Sequence, residues 1–185
     1  MNNLIGIDEL RQMFRLDQET GTLWWLSRPR EMFATQRGFA VWNARYAGAE
    51  AFTFTDPSGY RHGRILRRHY MAHRVIWALA NGRWPTAQVD HRDGDPQNNR
   101  PGNLREATRS ENNRNMRPRA GTSRFKGVCY CKQTGRWISQ SKIGDRHIWL
   151  LRHDTEEQAA RAYDTFAREA FGAFARLNFP NEEAA

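Results

Sequence analysis

The sequence predicts an α+β chain assembled from small units, and three observations predict it. Hydrophobic spacing switches repeatedly between the helical period and strict alternation. Two capping boxes, Thr108-Arg109-Ser110-Glu111 and Thr155-Glu156-Glu157-Gln158, each open a helix directly behind strand candidates. Turn clusters rich in Asp, Asn, Gly and Pro separate these segments at short intervals. A length of 185 residues suits one ordinary domain or two to three small ones.

Along the chain, Leu10, Met13 and Phe14 lie at helical spacing within residues 7–16, with acids near the start, which predicts a short amphipathic helix. Thr20-Gly21 breaks it, and Thr22 to Leu26 is β-rich. Residues 28–45 are basic and aromatic without a usable period. Ala51 to Thr55 alternates, Asp56-Pro57-Ser58-Gly59 is a turn, and Tyr60 to Leu66 returns as the second arm of a hairpin. Ala72 to Ala80 carries Val75, Ile76 and Leu79 on one helical face, with Gly82 as its stop signal.

Gln88-Val89-Asp90-His91 reads as a short strand, followed by a polar loop through Gly102 and a second strand at Leu104 to Ala107. The first capping box then begins a helix through about Asn115. Residues 117–123 have linker chemistry. Beyond them, 127–130, 137–143 and 147–151 are strand candidates joined by Gln133-Thr134-Gly135 and Gly144-Asp145. The last capping box opens a helix whose Ala159, Ala162, Tyr163, Phe166 and Ala170 form one stripe ending at Gly172.

Charge narrows the partner. There are 29 Lys+Arg against 20 Asp+Glu, and 26 of the 29 are Arg, whose planar fork matches phosphate oxygens. Residues 60–120 hold 13 basic and 5 acidic side chains, whereas residues 1–59 hold 6 and 7. That uneven excess favours a nucleic-acid backbone. No apolar run reaches the roughly 18 residues of a membrane span, and the N-terminus Met1-Asn2-Asn3-Leu4 lacks signal-peptide character, so no membrane partner and an intracellular setting are expected. Cys129 and Cys131 are too close for an ordinary bridge and too few for a zinc tetrad, which excludes a disulfide partner and a Cys-rich finger. His69 and His73 have the spacing of a metal pair, yet no third ligand is evident, and a zinc site is rejected.

The chemistry concentrates around residues 90–112. Asp90 is a hard oxygen ligand, and His91 beside it is an imidazole whose ordinary pKa is close to neutrality. Neighbours in a strand face opposite ways, so both serve one site only if the strand ends there; the Asp93-Gly94-Asp95-Pro96 start of the loop provides that bend. Asn103 follows 12 positions after His91 and Asn112 21 after it, the latter on the capped helix. Arg100 and Arg105 flank the loop as phosphate clamps.

Taken together, Val89-Asp90-His91, Asn98-Asn99-Arg100, Asn103-Leu104-Arg105 and Glu111-Asn112 resemble an HNH endonuclease of the phage and intron-homing type. The resemblance implies a ββα-metal finger with His91 as general base, Asp90 and Asn112 on one divalent ion (Mg²⁺, or another such as Mn²⁺), and Asn103 holding the loop and orienting the histidine. Asn99 and Asn113 lie off the matching offsets and rank second.

Phe125-Lys126-Gly127-Val128, Gly135-Arg136-Trp137, His147-Ile148-Trp149-Leu150, the run from Asp154 to Asp164 and Leu177-Asn178-Phe179-Pro180 closely resemble an AP2/ERF-type DNA-binding domain, a three-stranded antiparallel sheet plus helix. That resemblance implies a sheet lying in the major groove, with Lys126, Gln140, Lys142, His147 and Trp149 facing DNA and Arg136 as a further basic residue. Cys129 stands where the plant pattern has a guanine-reading Arg, so plant target preference does not transfer.

The expected division is 1–59 as an N-terminal accessory helix/hairpin region, 60–118 as the HNH nuclease domain and 119–180 as the AP2/ERF-like domain. The expected activity is metal-dependent hydrolysis of phosphodiesters in double-stranded DNA, in a cytoplasmic phage or bacterial setting. The rivals are a non-catalytic DNA-binding regulator on the same scaffold and structured-RNA binding or cleavage.

Overall fold

The computed structural model describes residues 4–118 and 121–182; Met1-Asn2-Asn3 of the expected intracellular start and Arg119-Ala120 of the expected linker lie outside them. The chain forms two compact units, residues 1–106 and 107–185. The break falls at Glu106/Ala107, so the helix opened by Thr108 belongs to the second unit and not to the body that contains Asp90 and His91.

In the first unit the N-terminal helix α1 spans Ile7–Met13 and stops earlier than its periodicity suggests. Phe14–Asp17 instead becomes strand β1, paired antiparallel with β2 (Thr22–Trp25) so that Phe14 faces Trp25 and Asp17 faces Thr22. Pairing overrides local preference there, because it buries Phe14 and Leu23 together. The unassigned basic-aromatic stretch contains α2 (Gln36–Tyr46), capped by the Thr35 hydroxyl accepting from the Gly38 N–H. The hairpin is shorter on its first arm and gains a third strand: β3 (Phe54–Thr55), β4 (Arg61–Ile65) and β5 (Arg68–Met71) form one sheet in that order. Helix α3 (Ala72–Asn81) follows directly and ends in left-handed Gly82. Strands β6 (Gln88–His91) and β7 (Leu104–Ala107) pair across the polar loop.

Residues 1–59 do not stand apart as an accessory region. Leu10, Met13, Phe14, Leu23 and Phe52 share one core with Ile65, Val75, Ile76, Val89 and Leu104. The Trp84 indole N–H donates to the Ile5 carbonyl at 2.7 Å, tying the chain start to the segment after α3. Truncating a fully buried member such as Leu10 to alanine costs about 2–5 kcal/mol.

The second unit begins with α4 (Arg109–Asn115), whose capping box is formed by Thr108 and Glu111. Strands β8 (Val128–Cys131), β9 (Arg136–Ile143) and β10 (Arg146–His153) make an antiparallel sheet with β9 in the middle and a bulge between Trp149 and Leu151. Helix α5 (Glu156–Phe171) covers one face. Its buried side is Ala159, Ala160, Tyr163, Asp164, Ala167 and Phe171, which corrects the expected stripe: Ala162 and Phe166 are only half-buried and Ala170 is exposed. Asp164 is buried because it accepts from the Asn178 and Phe179 N–H groups at 2.8–2.9 Å, fastening the C-terminal segment to the helix. The ring of Tyr163 presses on Gly127 so closely that a Cβ there would lie 2.0 Å from it.

Candidate active site and nucleic-acid interface

Asp90 and His91 end strand β6, where the loop turns away, and both side chains are buried. The carboxylate of Asp90 receives two bonds at 2.8 Å on Oδ2, from Nε and an Nη nitrogen of Arg105, which is itself buried on β7. Arg105 was expected on the surface as a phosphate clamp. Its place opposite a buried carboxylate gives it the opposite task, neutralising a charge that burial would otherwise penalise.

The imidazole of His91 is held by a residue the spacing did not favour. Nε2 lies 3.0 Å from Oδ1 of Asn99, a side chain only 2 % exposed. A carboxamide oxygen only accepts, so in this contact Nε2 is the donor. Asn103, expected to hold the loop and orient the histidine, is bonded within the loop, while a bond to the imidazole comes from Asn99. Its Oδ1 accepts from the Asp93 N–H at 3.2 Å, and its Nδ2 donates to Asp93 Oδ1 at 3.0 Å and to the Asn98 carbonyl at 2.7 Å. Although burial, the largest single influence, raises the Asp93 carboxyl, bonds from the Asp95 N–H, Asn103 and Asn98 together hold it below its ordinary value.

Around His91 stand His73 and Tyr60, with ring centroids 5.3 Å and 5.8 Å away. Burial, helped by the charges of His91 and Arg74, pushes the His73 imidazole down to about 3, so it is neutral at ordinary pH. Tyr60 is pushed up by burial and by the nearby Asp90 and Asp56 charges.

The loop carrying Asn99 is braced from the N-terminal hairpin. Gly21 has φ +69, and a Cβ on it would lie 2.2 Å from the Asn99 carbonyl carbon and 2.4 Å from the Arg100 nitrogen. The β1–β2 turn and the loop therefore meet backbone to backbone. Arg100, exposed as expected of a clamp, donates from Nε to the Glu19 carbonyl at 2.6 Å, so its guanidinium is also part of the brace.

Asn112 is half-buried on α4 in the second unit. In that unit Ser139 is fully buried on the α5 side of β9, so alternation puts Arg136, Gln140 and Lys142 on the opposite face. Gln140 pairs with Trp149 and Lys142 with His147 across the strands, and the His147 and Trp149 rings lie 4.5 Å apart. Trp149 is 62 % exposed. Arg136 and Lys142 face Asp154 at 3.4 Å and Asp145 at 3.7 Å. Strands β8, β9 and β10 contain no acidic residue, leaving this face cationic and partly aromatic.

Lys126 departs from this group. Its ammonium points to α4, donating to the carbonyls of Asn113 at 3.5 Å, Met116 at 2.7 Å and Arg114. The expected DNA contact is thus occupied by a helix C-terminus. Burial, with the charge of Arg176, pushes the amine down to about 8. Cys129 and Cys131 are free thiols on one face of β8.

The HNH endonuclease family matches residues 70–114, and the AP2 domain family matches residues 123–173. The first match runs across the break between the two units. The chain is similar to Protein 3.8 of Escherichia phage T7, 38% identical over 108 residues, which is 57% of this chain and 88% of the phage protein. It is also similar to the uncharacterized HNH endonuclease L560 of Acanthamoeba polyphaga mimivirus, 38% identical over 127 residues, covering 68% of this chain and 65% of that one. Residues of the C-terminal part are 39% identical over 62 residues to the APETALA2-like protein 2 of Oryza sativa subsp. indica, 34% of this chain and 14% of the plant protein. Among the described residues no helix is long and apolar enough to cross a membrane.

Proposed function

We propose, for a chain that belongs to the HNH endonuclease family and carries an AP2 DNA-binding domain, that it is a divalent-metal-dependent endonuclease acting on double-stranded DNA. The observation that carries the reading is the buried Asp90-His91 pair at the end of β6, its imidazole bonded through Nε2 to Asn99.

The donor set suits a hard ion. Asp90 and Asn112 offer a carboxylate and a carboxamide oxygen, the donors Mg²⁺ takes while keeping several waters. The resemblance assigns the ion to these two residues, and water and phosphate would complete its shell. Arg105 bonds Oδ2 of Asp90 and would hold that carboxylate in place beside the ion. When bound, the ion would neutralise charge growing on the phosphoryl oxygens and on the departing 3′ oxygen.

The chain's own residues do the rest. A ring nitrogen of His91 takes a proton from the attacking water as its oxygen bonds to phosphorus and the bond to the 3′ oxygen breaks, and the departing 3′ oxygen takes a proton from solvent water, giving 5′-phosphate and 3′-hydroxyl ends. Asn99 helps to orient the imidazole. Asn103 keeps the loop closed around it, and neutral His73 lets the ring charge without a second cation against it. The outer sheet face, with Arg136, Gln140, Lys142, His147 and Trp149, holds the duplex.

One observation favours a second reading, a non-catalytic DNA-binding regulator: the Arg105 guanidinium already neutralises Asp90. Incubating supercoiled plasmid with the full chain, with Mg²⁺ or with EDTA, decides between them. Cutting that needs Mg²⁺ supports the nuclease; binding without cutting under both conditions supports the regulator.

A further inference from the structure

Helix α4 has seven residues, too few to be stable alone, and its two ends are secured differently. The N-terminus closes on itself through Thr108 and Glu111. The C-terminus is held from outside. The Lys126 ammonium reaches the carbonyls of Asn113, Arg114 and Met116 at the helix end, where helical bonding runs out. Lys126 is itself anchored: its N–H donates to Asn178 Oδ1 at 2.7 Å, and its carbonyl accepts from Asn178 Nδ2 at 3.0 Å. Asn178 is in turn fixed by buried Asp164 of α5. The Arg114 guanidinium also lies 4.6 Å from the centre of the Phe171 ring. The helix carrying Asn112 is thereby fastened to the sheet-and-helix module at two points.

We propose that Lys126 is a positioning residue through which the AP2 module sets the helix that presents Asn112, so that the part gripping DNA also fixes part of the cutting site. This rests on the reading of Asn112 as a metal-binding residue. It assigns Lys126 a task other than touching phosphate, and the two tasks have different signatures.

The test uses the full chain as wild type, Lys126→Met and Lys126→Arg, with three readouts: amide exchange over residues 109–116, affinity and salt slope on a mixed-sequence duplex, and plasmid cutting at saturating protein with Mg²⁺. The expected result for Lys126→Met is lost protection in α4 with protection in α5 retained, unchanged affinity and salt slope, and cutting reduced by about a hundredfold. Lys126→Arg, which still donates to carbonyls, restores protection and cutting. Should the Met variant lose α5 protection as well, the Arg variant decides, since a positioning cation must keep α4 protected there. Unchanged α4 protection in Lys126→Met, or a salt slope reduced by about 0.9 with cutting per bound protein intact, overturns the proposal. Absence of cutting by the wild type would instead sink the nuclease reading, while the exchange data still judge the role of Lys126.

Discussion

Nε2 of His91 and Oδ1 of Asn99, both buried, lie 3.0 Å apart, and in the proposed mechanism this contact orients the imidazole that serves as base. Removing the acceptor takes away one hold on the ring's orientation and tautomer. Asn99→Ala is expected to lower single-turnover plasmid cutting by about a hundredfold, within the range one positioned acid–base group contributes, with duplex affinity unchanged. Equal cutting would show that the contact does not orient the base.

Gly21 governs the same contact from outside the loop. A methyl group at a φ of +69 is strained, and here it would also enter the backbone of Asn99 and Arg100. Gly21→Ala should destabilise the chain by about 1–3 kcal/mol in urea titrations and reduce cutting further than the loss of folded protein explains. An unchanged midpoint would mean that turn and loop separate at no cost.

Arg105 and Asp90 are buried together, so deleting one partner leaves the other's charge uncompensated. Arg105→Met is expected to cost about 3–5 kcal/mol of stability while leaving the salt slope of duplex binding unchanged. A stable variant whose salt slope falls by about 0.9 would return Arg105 to the phosphate-clamp role.

His73 titrates near 6.5 when unfolded and near 3 when folded. Between those values the unfolded chain binds more protons, so stability falls as pH is lowered through that window, by at most about 1.4 kcal/mol per pH unit. Asp93 and Glu106, with depressed carboxyls, add their own losses only below about 4.5. Urea titrations between pH 6.5 and 4.5 should show a slope that His73→Gln flattens; an identical slope in the variant would place the acid sensitivity elsewhere.

Legibility of the sequence followed the physics of each element. The capping boxes at Thr108 and Thr155, the stop at Gly82 and the β6 and β7 strands are local signals, and the structure has all of them. Strand β5 and helix α2 were hidden, the first because Arg68-His69-Tyr70-Met71 barely alternates, the second because its basic-aromatic sequence lacks a clean apolar stripe. Asp90 and His91 stood out by type and position. Asn99 did not, since six of the 18 residues from 98 to 115 are Asn and what distinguishes it is its bond to His91. Arg105 and Lys126 misled for a shared reason: cations are usually solvated, and no sequence pattern announces a buried carboxylate or a helix end waiting for one.

The central claim is that His91 is the base of a metal-dependent phosphodiester hydrolysis. Its most direct test compares wild type and His91→Ala for plasmid cutting in Mg²⁺ at protein concentrations where both are shown to bind the DNA. The account predicts cutting by the wild type, none by the variant and equal binding. Cutting by the variant at the wild-type rate would contradict it.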